Sequence, residues 1–166
     1  MGGYSATGNN VHQTLPISAY AQFHCQPAYY IGTSNEYMYI WSEYDQLRAV
    51  PFNRSTNTFG SNQTISPIAG PPGSIGAMIS VSSNASSDHT GIVWAYYAQS
   101  GDAGHAVCPG ILRAFDANNI GTQLWNSNQN GGDAPGNFAK FSPPTIANGH
   151  VYLATFSGQI VVYGLK

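Results

Sequence analysis

The sequence predicts an all-β protein made of repeated antiparallel strands, and three observations carry that prediction. A strand-turn-strand unit, Gly110-Ile111-Leu112-Arg113-Ala114-Phe115-Asp116-Ala117 followed by Gln123-Leu124-Trp125-Asn126, has weaker copies on either side. They are Leu47-Arg48-Ala49-Val50-Pro51-Phe52 and Gln159-Ile160-Val161-Val162-Tyr163-Gly164. Aromatic residues are 13% of the chain, with 11 tyrosines, a composition that suits pleated sheet. The 19 glycines and 10 prolines cut the chain into short segments joined by tight turns. Each copy of the unit follows an aromatic strand, which reads as a β-propeller blade. From Leu112 to Ile160 is 48 residues, within the about 40–50 of one blade. From Leu47 to Leu112 is 65, which fits a blade carrying insertions.

Taken in order, residues 1–26 are a polar N-terminal segment with one candidate strand at 17–23, available to complement another blade. About three blades follow, over approximately 27–64, 65–128 and 129–166. In the first, Ala28-Tyr29-Tyr30-Ile31 is a strand, Gly32-Thr33-Ser34-Asn35 a turn, and the aromatic run 37–42 a second strand leading into 47–52. Residues 53–62 read as a loop with a short outer strand at most. Residues 65–76 hold Pro67, Pro71 and Pro72, and are expected to connect blades without a central strand. The second blade begins at 77–81 and continues at 91–97, Gly-Ile-Val-Trp-Ala-Tyr-Tyr, the strongest strand signal in the chain. The insertion 100–109 precedes the central unit, whose turn is Asp116-Ala117-Asn118-Asn119. Residues 127–143 form a Gly/Asn-rich loop. In the last blade, Asn148-Gly149 between alternating strands is a strong hairpin signal. Residues 150–154 and 159–163 supply its remaining strands, and no fourth strand is expected there.

Composition bounds the partners. At 166 residues the chain can bury a core of its own. Charged residues are 7% of it, against roughly 25% in ordinary soluble proteins. A net charge of -2 and five scattered Lys and Arg argue against nucleic acid, whose phosphates need clustered cations. No apolar run reaches the about 18 residues of a membrane-crossing helix, so no membrane partner is expected. An uncharged polar surface points to a secreted, extracellular or periplasmic setting. Three sequons, at Asn53, Asn62 and Asn84, fall in expected loops, where glycans would sit. Met1-Gly2-Gly3-Tyr4 lacks the basic and apolar regions of a signal peptide. The leader is therefore expected to have been removed, or the chain to be part of a longer one. Cys25 and Cys108 suggest one disulfide in such a setting.

The run from Gly110 through Asp116 to Trp125 resembles the repeat of pyrroloquinoline-quinone-type, or quinoprotein-like, β-propellers. The closing run from Lys140 to Leu165 resembles the C-terminal blades of secreted bacterial members of that superfamily. The resemblance implies a propeller fold in which Asp116 and Trp125 lock neighbouring blades. It implies little about activity, because the superfamily mixes dehydrogenases, assembly scaffolds and other secreted proteins. Members usually have seven or eight blades. About three are legible here, so completion by other chains or by the rest of a larger propeller is expected.

Chemistry-bearing residues are sparse. His12, His24, His89, His105 and His150 show no metal-ligand spacing, and Asp88-His89 and His105-x-x-Cys108 come nearest. Asp116 reads as a turn cap. Glu43 and Asp45 are the one close carboxylate pair, and no nucleophile elbow exists. Family members hold their quinone with cations, stacking residues and in some cases a vicinal disulfide. Here the cysteines are far apart, and Arg48 and Arg113 hold equivalent repeat positions, so no catalytic, cofactor or metal site is expected. Aromatic residues at 29, 30, 41, 44, 94, 96 and 97 are core, with a few left over for sugars or subunits. The expected function is a structural or interaction module that self-assembles into an oligomer or filament. The alternatives are the C-terminal part of a quinoprotein-like oxidoreductase and a carbohydrate-binding propeller.

Overall fold

The computed structural model describes residues 6–8, 11–19, 22–84, 87 and 89–164. These form 12 strands in three antiparallel sheets, with no helix among the described residues. The first sheet contains β1 (Ala28–Ile31), β2 (Glu36–Ile40), β3 (Gln46–Asn53), β4 (Thr58–Phe59) and β5 (Thr64–Ala69). β1, β2 and β3 form a meander, and β4 and β5 both pair with β3. The second is a four-stranded meander of β6 (Met78–Ser82), β7 (Ile92–Ala98), β8 (Gly110–Asp116) and β9 (Asn119–Asn126). The third has three strands, β10 (Thr145–Ala147), β11 (His150–Ala154) and β12 (Ile160–Tyr163).

Strand periodicity explains how the sheets stack. Successive side chains of a strand point to opposite faces. On β7, Val93, Ala95 and Tyr97 join a core with Tyr39, Trp41 and Leu47 of the first sheet. The intervening Trp94, Tyr96 and Ala98 face a second core with Phe138, Val151 and Leu153. The second sheet is therefore covered on both faces, which is why 91–97 reads as an almost unbroken apolar run. The first strands also lie together, β1 against β6 and β6 against β10. The three sheets form a series, and none closes on itself.

Three expectations need correction. Residues 64–69 are a strand rather than part of a connection, so the first sheet runs past the expected boundary at 64. Pro67 is accommodated because the register shifts there. Gln46 pairs with Ala69 and Arg48 with Ile65, leaving 66–68 opposite Leu47 as a bulge with no N–H required of the proline. The described part of 17–23 holds no strand; Tyr20 and Ala21 lie outside the described residues. Instead the N-terminal segment leans on the first sheet. Gln13 exchanges two hydrogen bonds with the Phe59 backbone, at 2.7 and 2.8 Å, and Gln63 Nε2 donates to the Pro16 carbonyl. Finally, β9 begins directly after Asn118 and takes in 119–122, ahead of the strand expected at 123–126.

Turn chemistry agrees with the sequence where the backbone demands it. Asn148 and Gly149 both have positive φ, 51° and 73°, as a type I′ hairpin requires.

Candidate functional site

The repeat unit supplies its own internal comparison. Leu47 and Leu112 hold the same position in β3 and β8 and are fully buried, each facing the next sheet in the series. Ile160 holds that position in β12 and is 72% exposed, because no fourth sheet follows among the described residues. Two residues on, the pattern repeats. Ala49 and Ala114 are buried, and Val162 is 51% exposed. Tyr152 pairs with Val162 and Ala154 with Ile160, so the same face extends onto β11. The third sheet thus leaves open a surface that its two predecessors cover.

The outer edge of that sheet is open as well. β12 pairs with β11 alone among the described residues. Beside it runs a groove of about 570 Å³ lined by Trp125, Asn130, Gly132, Asp133, Val162, Tyr163 and Gly164. Packing fixes its floor. The Trp125 ring meets Tyr163 edge-on at 5.5 Å and Trp94 at 6.5 Å, tying the second sheet to the third. The Tyr163 hydroxyl donates to the Asp133 carbonyl at 2.8 Å, holding the 127–137 loop against β12. Burial, followed by the nearby Tyr96 and Asp133, pushes the Tyr163 phenol up to about 12, so the groove's one titratable ring stays a neutral donor at ordinary pH.

Asp116 accepts the Asn118 N–H at 2.8 Å, which caps its own turn. The link to the first sheet comes from its neighbour, since the Tyr39 hydroxyl donates to the Ala117 carbonyl. Cys25 and Cys108 are free thiols and form no disulfide in this structure. Each is satisfied locally, Cys25 Sγ donating to the Trp41 carbonyl at 3.1 Å and Cys108 Sγ to the Ala106 carbonyl at 3.7 Å. Burial pushes the Cys25 thiol up despite that bond. Asn53, Asn62 and Asn84 are all exposed, and Ala85 and Ser86 of the last sequon lie outside the described residues.

Glu43 and Asp45 do not act as a pair. Glu43 meets His24 at 3.2 Å, whereas Asp45 is gripped by Arg48 through two bonds of 2.7 and 2.8 Å. Burial works to raise the Asp45 carboxyl, but Arg48, Ser18 and the Gln46 N–H outweigh it and hold it below the usual range. Arg113 donates to the Tyr97 hydroxyl at 2.6 Å. Arg48 and Arg113 both point away from the next sheet, consistent with equivalent places in a repeat. His12 and His150 contact backbone carbonyls and His105 contacts Asp102. Among the described residues no three His, Cys, Asp or Glu side chains gather as metal ligands, and Asp88 lies outside them. Of the aromatic candidates, Tyr30, Trp41, Tyr96 and Tyr97 are core, and Tyr29 and Tyr44 are exposed.

Sequence reading missed the groove beside β12, because its far wall comes from the Gly/Asn-rich loop, which carries no periodic signal. The Trp125–Tyr163 contact had one in hindsight, since both residues close a repeat unit. Compared with protein-family models, curated proteins and solved structures, the chain matches none.

Proposed function

We propose that the chain is a structural and interaction module, a partial β-propeller that associates with further copies of itself outside the cell. One observation carries this reading, the exposure of Ile160 at a repeat position where Leu47 and Leu112 are buried. A blade whose forward face is apolar and uncovered gains by stacking on another blade, at about 25 cal/mol for each Å² of apolar surface removed from water. The second sheet supplies the pattern for that contact, since it is itself covered on both faces. Low charge supports the reading, because few like charges stand between copies. Exposed sequons at Asn53, Asn62 and Asn84 and the uncharged polar surface support an extracellular setting.

Light scattering tests the proposal. The expected mass is a multiple of the chain's 17.7 kDa that falls on dilution. A single species at the chain's own mass at every concentration overturns it.

A further inference from the structure

The backbone of β12 indicates how two copies would meet. Thr155 N–H donates to the Gln159 carbonyl at 3.0 Å, closing the β11–β12 turn with a hydrogen-bonded pair. In an antiparallel ladder hydrogen-bonded and non-hydrogen-bonded pairs alternate. The pairs Leu153–Val161 and Val151–Tyr163 are therefore bonded, while Ala154–Ile160 and Tyr152–Val162 are not. Ile160 and Val162 consequently direct their N–H and C=O groups away from β11, toward the open edge. β12 has no charged residue and no proline, the devices that usually blunt an edge. The outer edge of the first sheet is treated differently, because Gln13 caps the Phe59 backbone there.

We infer that β12 pairs antiparallel with β12 of a second copy, forming a two-fold dimer with one continuous six-stranded sheet. A two-fold contact requires a self-complementary surface, and this edge meets the condition. With Val161 opposite its symmetry mate, Ile160 of each copy lies opposite Val162 of the other. That register lets the two outward-facing residues exchange their backbone hydrogen bonds on both sides of the axis. It also sets Ile160 beside Val162 of the other copy on the same face, so each shields the other's flank. The groove along Trp125, Asp133 and Tyr163 opens beside Val162, one of the two residues that would pair. The N-terminal segment is a weaker occupant, since residues 12–16 are already engaged with the first sheet. This inference rests on self-association and adds an edge contact of β12 to the stacking of its forward face.

The decisive variant is Val162→Pro. Its N–H points to the open edge, so proline removes a donor from the dimer and none from the β11 ladder. Sedimentation of the wild type is expected to show a concentration-dependent dimer. Val162→Pro is expected to weaken dimerisation by about tenfold or more, because each copy loses one edge donor, while keeping its far-ultraviolet spectrum. Wild-type association that survives unchanged in a folded Val162→Pro overturns the edge but leaves self-association standing. A wild type monomeric throughout overturns both. Should the variant not fold, amide exchange on the wild type decides. Protection of the Ile160 and Val162 amides that rises with protein concentration supports the pairing, and its absence overturns it.

Discussion

The hydroxyl of Tyr39, on β2, donates to the backbone carbonyl of Ala117, 78 residues further along the chain. Both residues are almost entirely buried. This bond joins the first sheet to the β8–β9 turn of the second, inside the core that holds Trp41, Tyr97 and Phe115. An aromatic strand and a repeat turn that look unrelated in sequence are thus one structural joint.

Replacing Tyr39 with phenylalanine keeps the ring but leaves the Ala117 carbonyl buried without its donor. The cost of such an orphaned group is about 1–3 kcal/mol. Urea unfolding of Tyr39→Phe is expected to show that loss, with an unchanged dependence on denaturant. A variant as stable as the wild type would show that the hydroxyl has no part in joining the sheets.

Most of the strands were legible in the sequence, because aromatic and β-branched alternation is local and survives without knowledge of the fold. Ala28–Ile31 and His150–Ala154 fall where the residues put them. β5 was not legible, since Pro67 signals a break unless the bulge opposite Leu47 is known. The open surface was legible only as a deficit of strands. That Ile160 is the exposed equivalent of Leu47 and Leu112 follows from which face each strand turns to its neighbour, a tertiary fact. The groove beside β12 was invisible for the same reason, as Trp125 and Asp133 reach it from another sheet and its loop.

Asp45 makes acid stability a probe of the first sheet. Arg48, Ser18 and Gln46 hold its carboxyl below the ordinary range against the pull of burial. A depressed carboxyl pKa contributes stability that is fully present above the unfolded value of about 3.9 and is lost as pH falls through the lower folded value. Thermal melts of the wild type are therefore expected to drop more steeply below about pH 4 than those of Asp45→Asn. At neutral pH the asparagine variant should be the less stable of the two, because Arg48, mostly buried, loses its anion. Parallel acid profiles would show that Asp45 does not carry the dependence.

Trp125 offers a test of how the third sheet is held. Its ring bridges Trp94 on β7 and Tyr163 on β12, and it forms part of the wall beside the open edge. The first core, between the first two sheets, does not include it. Truncation to alanine removes two edge-on aromatic contacts and part of a buried surface, costing about 2–4 kcal/mol. The loss should be local. Amide exchange in β11 and β12 of Trp125→Ala is expected to accelerate strongly, while β2 and β3, packed on the other core, keep their protection. Phenylalanine at this position should recover much of the difference, since it restores a ring facing Tyr163. Uniform acceleration across all three sheets would mean that they unfold as one unit, and that Trp125 does not hold the third sheet separately.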